Sequence, residues 1–344
     1  MKSKRIVTFG ELLLRFSKPG HKRFTQGEQL LGNFGGSEAN VAISLATLGD
    51  EVEYVTRLPK GQVGLAATMM LREYGLDTRH ILADGDRMGA YYFEGAAALR
   101  NSSVTYDRAN SAFGLIEPGM LPWRDILQDA GVFHTSGIAG ALTPNASAAT
   151  FEALRVADEM GLTISFDINY RKNLWKYPGA QPIETLSAML EYADVMFGDV
   201  IEFEFLTSHP KIPFKALDTH YEFSLDPYRE WFDQLHKRFP RCRKWLMGMR
   251  NQVDASHHLL TCLLWSDGTL YSTRIYDIQD MVDPMGVGDA FAAGQIHAML
   301  QWPDDDQRIL DYALAASTLK YTFNGDFNLA TDEEIQQLIA TPLH

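Results

Sequence analysis

The fold of this chain is decided by the stretch Asp283-Pro284-Met285-Gly286-Val287-Gly288-Asp289-Ala290-Phe291. An extended segment, 273–278, precedes it, and an apolar helical pattern, 290–300, follows it. Gly286 and Gly288 carry no Cβ, so backbone N–H groups can approach an anion closely. The helix N-terminus adds partial positive charge there, and Asp289 stands where a base could accept a hydroxyl proton. This small-residue turn therefore predicts phosphoryl transfer to an alcohol.

Two other interpretations of the turn stay open. It could be a glycine-rich strand-to-helix connection whose aspartate only caps the helix. It could also be a dinucleotide-binding loop, although the third glycine of G-x-G-x-x-G is missing and the turn is far from a first βαβ unit. A Walker A loop is excluded because no Gly-Lys-Ser/Thr follows. The pattern favours phosphate chemistry over structural capping.

Length and composition predict one large α/β domain with an appended subdomain. The chain has 344 residues, 46% of them hydrophobic, and this suffices for a sizeable core without disulfides. Its net charge of −13 argues against a nucleic-acid or anionic-membrane partner. Cys242 and Cys262 match no zinc spacing, so a reducing cytoplasm is expected. No signal-peptide pattern follows the N-terminus and no apolar run is long enough to span a membrane.

The periodicity of apolar residues predicts alternating strands and helices. Strands are expected at 5–9, 12–16, 52–57, 132–135, 162–166, 195–197 and 244–249, with a hairpin at 258–264 and 269–275. Helices are expected at 38–48, 65–74, 146–160, 183–192, 202–206, 227–239, 290–300, 307–322 and 332–339. Short strands at 90–93 and 104–106 indicate a small β-rich insertion. Repeated βα units predict a mostly parallel sheet, with ligands beyond the carboxyl ends of its strands.

Polar clusters follow two of these strands. Asp167, Asn169 and Arg171 come after the strand at 162–166 and could bind a polar ligand, or could form a solvated loop. Asp199 and Glu202, three residues apart, could hold Mg²⁺ through waters. The alternative for that pair is an N-cap with an acidic first turn, which the pattern alone favours.

Further candidates lie in the N-terminal third. Gly35 and Gly36 open a helix that carries Asn40, and they would let a ligand approach the backbone; tight packing of helix on sheet is the alternative. The insertion carries Tyr91, Tyr106 and Arg108, which could equally be ordinary strand aromatics and a surface arginine.

With Gly35-Gly36…Asn40 near its start and Asp283…Gly286-Val287-Gly288-Asp289 near its end, the chain resembles the ribokinase-like (PfkB) carbohydrate kinases over nearly its whole length. The resemblance implies a single domain over 1–344, with a three-layer α/β/α architecture, a mostly parallel central sheet and a β lid from about 11–34 and 86–112. It implies ATP and Mg²⁺. Asp289 resembles the catalytic base, and the N–H groups of Gly286, Val287 and Gly288 resemble an anion hole. The resemblance also implies nucleotide contacts from Asp199, Glu202, Gly286 and Gly288, and metal contacts from Glu202 and Asp283. Asp283 resembles a residue near the family's monovalent-cation site, which makes K⁺ a further expected cofactor.

The segments Phe9-Gly10-Glu11, 104–108 and 166–175 resemble the branch of that family that phosphorylates 2-keto-3-deoxygluconate to its 6-phosphate. The residues implied to contact the sugar acid are Gly35, Gly36, Asn40, Tyr91, Tyr106, Arg108, Arg171 and Asp326. The two arginines would offset the substrate carboxylate. A cytoplasmic enzyme and a homodimer or higher homo-oligomer built on lid contacts are also implied. The alternatives are a kinase of a neutral sugar, fructose or ribose, and a non-catalytic sugar or nucleotide sensor.

Four features depart from the family pattern. One is Leu58-Pro59-Lys60-Gly61, which stands in place of the usual Gly-x-Asp near the end of the second strand. Pro284-Met285 replaces the usual pair of threonines, which bears on cation coordination. Asp199 replaces an asparagine, so a carboxylate stands beside the expected triphosphate site. Tyr92 is an alternative to Tyr91, because the match there needs a one-residue gap.

Overall fold

The computed structural model describes residues 5–207 and 212–342. Its strands are β1 (Arg5–Phe9), β2 (Leu13–Ser17), β3 (Leu31–Gly35), β4 (Val52–Val55), β5 (Arg57–Leu58), β6 (Leu82–Ala83), β7 (Ala90–Glu94), β8 (Ser103–Asp107), β9 (Ala130–Ser136), β10 (Thr163–Asp167), β11 (Val195–Asp199), β12 (Lys244–Gln252), β13 (His258–Ser266), β14 (Thr269–Ser272) and β15 (Tyr276–Ile278). Its helices are α1 (Ser37–Thr47), α2 (Gln62–Glu73), α3 (Trp123–Ile126), α4 (Gly137–Ala141), α5 (Pro144–Glu159), α6 (Pro182–Leu190), α7 (Val200–Thr207), α8 (Asp226–Arg238), α9 (Val287–Gln301), α10 (Asp306–Lys320) and α11 (Asp332–Ala340).

The main sheet has nine strands in the order β14-β13-β12-β11-β10-β9-β1-β4, with β15 also paired to β13. All pairs from β4 to β12 are parallel, and β13 is antiparallel to β12, β14 and β15. The parallel strands are buried almost continuously, as in Arg5–Phe9, because helices cover both faces of such a sheet. The predicted mostly parallel α/β sheet is confirmed.

A second sheet of four strands, in the order β3-β2-β7-β8, stands apart from the first. Strands β2 and β7 are parallel neighbours although about seventy residues separate them, and β3 and β8 flank them in antiparallel pairs. The flanking strands are largely exposed, whereas β2 buries alternate residues. This smaller sheet lies where the sequence predicts the lid, and it includes β3, a strand that the periodicity did not predict.

Several element boundaries differ from the prediction. The strand expected at 269–275 ends at Ser272, and a separate strand begins at Tyr276 along the same partner, β13. Between them the hydroxyl of Thr273 accepts the N–H of Cys262 at 3.1 Å, so a side chain interrupts the backbone ladder. The helix expected from residue 290 begins at Val287, because Gly286 adopts a left-handed conformation (φ 81°) as its N-cap. The short helices α3 and α4 were not predicted.

No helix within residues 5–207 and 212–342 is long and apolar enough to cross a membrane. Cys242 and Cys262 are buried free thiols.

Candidate active site

A cavity of about 810 Å³ opens between the carboxyl ends of β10, β11 and β12 and the second sheet. This is the edge at which open parallel sheets bind ligands. Most of the residues that the sequence singles out line it: Gly36, Asn40, Tyr91, Tyr106, Arg108, Arg171, Asp199, Glu202, Gly286, Val287, Gly288, Asp289 and Asp326. Two do not, namely Gly35 and Asp283. Tyr91 lines the cavity, whereas its alternative, Tyr92, packs against Phe16 and Phe24.

Asp289 is held at the floor of the cavity by two side chains from α1. The hydroxyl of Ser37 donates to Oδ1 of Asp289 at 2.9 Å, and the amide of Asn40 donates to Oδ2 at 2.7 Å. Burial raises the pKa of Asp289, and these two hydrogen bonds oppose that rise. The carboxylate is therefore fixed in direction and desolvated, as a general base requires.

The turn before Asp289 places backbone donors beside it. The first intrahelical bond of α9 runs from Ala290 N–H to the Gly286 carbonyl at 2.8 Å, so the N–H groups of residues 286–289 have no acceptor within the helix. A Cβ at Gly286 would overlap the carbonyl oxygen of Asp326, and φ is positive there, so glycine is required on both counts. The helix N-terminus thus faces the cavity with donors suited to an anion.

A chain of hydrogen bonds continues from Asp289 to the end of β10. The amide of Asn169 donates to Ser37 Oγ at 3.0 Å and to Asp167 Oδ2 at 2.9 Å. Asn169 has φ 40°, a conformation that asparagine tolerates better than most residues, and its backbone N–H donates to Asp167 Oδ1. Both amide hydrogens are thus used, whereas Oδ1 of Asn169 is buried without a donor among the described residues. The polar cluster after β10 is therefore part of the site.

Asp199 and Glu202 cap helix α7 reciprocally. Asp199 Oδ1 accepts the Glu202 N–H at 2.9 Å, and Glu202 Oε2 accepts the Asp199 N–H at 3.0 Å. This is the capping arrangement that the pattern alone favoured, and both residues also line the cavity. Burial raises the pKa of Glu202 to about 7, further raised by Asp199 and opposed by Arg171. The other oxygen, Oε1, lies 3.6 Å from Arg171 Nη1.

The two arginines expected to meet a substrate carboxylate are in different states. Arg108 is buried and contacts Glu11 Oε2 through Nε at 2.7 Å and Nη2 at 2.5 Å, while Ser111 donates to the other oxygen. The free positive charge expected at Arg108 is therefore already offset by Glu11. The side chain of Arg171 is 47% exposed, and among the described residues its one ion pair is the long contact to Glu202, so its charge is available to a ligand.

Arg15, which the sequence did not single out, lies at the centre of a buried ion-pair network. It binds Asp283 Oδ2 at 2.6 Å and Asp326 Oδ1 at 2.7 Å, and Tyr91 donates to the other oxygen of Asp326. Gly35 packs against Asp326, since a Cβ there would overlap its carboxylate. The signal for Arg15 was its position in β2, on the face that buries Leu13 and Ser17.

The assignment of Asp283 to a metal does not agree with these contacts. Besides Arg15, its carboxylate accepts the N–H groups of Met285 at 3.0 Å and Gly325 at 3.1 Å. Both oxygens are thus engaged by donors of the chain itself. Within the described residues, no cluster of three or more His, Cys, Asp or Glu side chains could hold a metal ion.

A buried carboxyl below the site was also missed. Glu38 of α1 accepts a hydrogen bond from Ser136 Oγ at 2.5 Å, and its other oxygen has no partner among the described residues. Burial raises the pKa of Glu38 to about 7.

A family model for the pfkB carbohydrate kinases matches residues 3–239. The chain belongs to this family. It is 29% identical over 335 residues to a 2-dehydro-3-deoxygalactonokinase of Haloferax volcanii, covering 97% of this chain and 96% of the relative. It is 28% identical over 313 residues to a probable fructokinase-3 of Arabidopsis thaliana, covering 89% and 79%. The crystal structure of the 2-dehydro-3-deoxygluconokinase of Thermotoga maritima superposes with a TM-score of 0.88 at 33% identity, covering 98% and 99%.

These likenesses confirm a carbohydrate kinase with the ribokinase-like α/β fold that the sequence resemblance implied. Kinases of the PfkB family use ATP as the phosphoryl donor. The family model ends before Asp289, so the placement of the base and of the helix N-terminus rests on the geometry given above.

Proposed function

We propose that this PfkB kinase is a cytoplasmic enzyme that transfers the γ-phosphoryl group of ATP to the primary hydroxyl of 2-keto-3-deoxygluconate, also called 2-dehydro-3-deoxygluconate. The observation that carries the proposal is the juxtaposition of an oriented carboxylate, Asp289, with the open N-terminus of α9 in a cavity that also presents Arg171. A sugar-acid substrate agrees with the named activities of two of the relatives given above.

Asp289 would accept the proton of the primary hydroxyl as that oxygen attacks the γ-phosphorus. One O–P bond forms, the bond to the bridging oxygen of ADP breaks, and the proton remains on Asp289. The N–H groups of residues 286–289 would bind the oxygens of the transferring group, where negative charge is spread in the transition state. Ser37 and Asn40 would keep the carboxylate aimed during this step.

The substrate carboxylate would bind Arg171, whose guanidinium is half exposed to the cavity. Oδ1 of Asn169 would accept a hydrogen bond from a hydroxyl of the sugar. A buried acceptor without a donor is unfavourable, and the bound sugar would provide that donor. Arg108, already paired with Glu11, would shape the wall and donate through its remaining N–H groups. Together these groups select a polyhydroxy acid.

The nucleotide would occupy the other half of the cavity. Its wall there is apolar, with Val200, Ile201, Ile212, Pro213 and Phe214, and would cover a base. The Glu202 carboxylate lines the cavity beside Asp199, so it could hold Mg²⁺ through waters. When bound with ATP, Mg²⁺ would neutralise charge on the phosphates.

We also propose that two copies associate through the second sheet. Leu31 of β3 and Val104 of β8 are exposed there. The molar mass in solution tests this, and a monomer at all concentrations would contradict it.

The activity is tested by coupled measurement of ADP release with Mg-ATP and a panel of 2-keto-3-deoxygluconate, its galactonate epimer, gluconate, fructose and ribose. Turnover with the keto-deoxy acids alone supports the proposal. Turnover with only fructose or ribose keeps the kinase and the role of Asp289 but rejects the sugar-acid substrate. The absence of turnover with every sugar would favour a sensor.

A further inference from the structure

Lys320, the last residue of α10, is a buried cation that the reaction described above does not use. It has no exposed surface. Its ammonium donates to the carbonyl of Asp283 at 3.3 Å and to the carbonyl of Phe323 at 3.1 Å. Among the described residues, no carboxylate forms an ion pair with it. A lysine near a helix C-terminus often binds a nearby carbonyl, as Lys320 does with Phe323. The contact to Asp283, thirty-seven residues away, needs another explanation.

The two carbonyls belong to the loops that support the N-terminus of α9. Segment 283–286 leads into that helix, and segment 321–326 follows α10. Other bonds tie the loops together: the N–H of Val282 donates to the Tyr321 carbonyl at 2.8 Å, and Gly325 donates to the Asp283 carboxylate. Gly286 packs on the backbone of Asp326. The ammonium of Lys320 therefore lies at the junction of both loops, behind the proposed anion site.

The charge of this group is maintained despite its burial. Burial lowers the pKa of Lys320 to about 8, and the carboxylates of Asp283 and Asp326 oppose that fall. The ammonium form consequently predominates at neutral pH.

These contacts do not fit the K⁺ ion that the family resemblance implies near Asp283. A bound K⁺ needs several oxygen ligands, but the carboxylate of Asp283 is occupied by Arg15, Met285 N–H and Gly325 N–H. Its carbonyl already accepts from Lys320. A second cation at this junction would also be repelled by both Arg15 and Lys320.

We propose that the ammonium of Lys320 takes the place of a monovalent cation: it binds the carbonyls of Asp283 and Phe323, holds the loop before α9 in its anion-binding geometry, and makes the kinase independent of K⁺. Lys320 is thus a positioning residue. The inference rests on the proposed role of the α9 N-terminus in phosphoryl transfer.

The first test uses the unmodified enzyme. Its kcat and Tm are measured in buffer with tetramethylammonium as the only added monovalent cation, and again with K⁺ at equal ionic strength. We expect both values to be unchanged by K⁺. Activation of the unmodified enzyme by K⁺, or a rise of its Tm specific to K⁺, would overturn the inference.

The second test removes the ammonium. The side chain of Lys320→Met ends one atom short and vacates only the position of Nζ. We expect kcat to fall about 10–100-fold, as for loss of other groups that orient a binding site, with a smaller change in KM. Added K⁺ should restore much of the lost kcat and raise the Tm of the variant, whereas tetramethylammonium should do neither. Lys237→Met, the same change on the exposed face of α8, is the control and should behave as the unmodified enzyme.

A folded Lys320→Met variant with full kcat, or one that K⁺ fails to restore, would show that Lys320 only caps its helix. If the variant does not fold, the response of the unmodified enzyme to K⁺ still decides. If no sugar of the panel is turned over, the proposed substrate is wrong. The Tm values of the unmodified enzyme and of Lys320→Met, each measured with and without K⁺, then test the role of Lys320 without an activity assay.

Discussion

The most direct test of the site is Asp289→Asn, which replaces one carboxylate oxygen by an amide nitrogen of nearly the same size. The structure shows how the variant can fit. Its remaining oxygen can face the amide of Asn40, and its NH₂ group can face Ser37 Oγ. The hydroxyl hydrogen of Ser37 then loses its acceptor, which costs about 1 kcal/mol. The fold and the binding of both substrates should therefore be nearly unchanged.

Loss of the base should have a much larger effect on turnover. Removing a positioned general base lowers the rate by about 10²–10⁴-fold, which corresponds to about 3–5 kcal/mol in the barrier. The catalytic effect thus exceeds the structural cost by several-fold in free energy, so the two can be separated. We expect kcat to fall by this factor while KM for ATP and for the sugar acid stays within a few-fold.

The assay is steady-state ADP release, with sugar binding measured separately by calorimetry. Asp267→Asn, at an exposed turn paired with Arg243, is a matched control and should retain full activity. An Asp289→Asn enzyme with kcat within tenfold of the unmodified one would refute the assignment of the base. A loss confined to KM would place Asp289 in binding instead.

Three further changes test other parts of the site. Arg171→Ala should raise KM for the sugar acid about 10–100-fold, since a charged hydrogen bond is lost, and should leave KM for a neutral sugar nearly unchanged; equal effects in steady-state kinetics would remove its carboxylate role. Arg15→Met leaves Asp283 and Asp326 buried without their cation, so urea unfolding should show a loss of about 3–5 kcal/mol, and a loss below about 1 kcal/mol would contradict the network. Burial raises the pKa of Glu38 in the folded protein from 4.5 to about 7. The free energy of unfolding is therefore highest at low pH, where Glu38 is protonated, and it falls as the pH rises toward 7. Glu38→Gln should therefore have a higher Tm than the unmodified enzyme at pH 8 but not at pH 5, and a difference independent of pH would contradict the shift.

Much of the architecture followed from the sequence because its signals are local. Apolar periodicity and glycine positions are contained within one element, and they predicted the parallel strands and the helices around them. Strand β3 was missed because its exposed residues show no alternation: its pairing with β2 determines it. The break before β15 was missed because it depends on the hydroxyl of Thr273 reaching Cys262.

The site was predicted less completely, since its charges are paired across long stretches of chain. The sequence assigned Arg108 to the sugar acid and Asp283 to a metal, but it did not reveal the ion-pair partners of either residue. Glu11 is 97 residues from Arg108, and Arg15 is 268 residues from Asp283. A sequence pattern gives no information on whether such a charge is already neutralised. The spacing of Asp199 and Glu202 predicted a helix cap better than a metal contact, because a cap depends only on neighbouring residues whereas a metal contact depends on distant ones.

The separation of the site's parts along the chain also has a consequence during translation. Asn40 and Asp289, which share a hydrogen bond, are 249 residues apart, and at about 5–20 residues per second the ribosome needs about 12–50 s to synthesise the intervening chain. The interval between synthesis of Arg15 and of its partner Asp326 is longer still, since 311 residues separate them. The N-terminal part of the site is therefore made early and stays without Asp289, so a nascent chain lacks the proposed base until late in synthesis. A product truncated before Asp289 would lack the proposed base as well, and we expect it to be inactive.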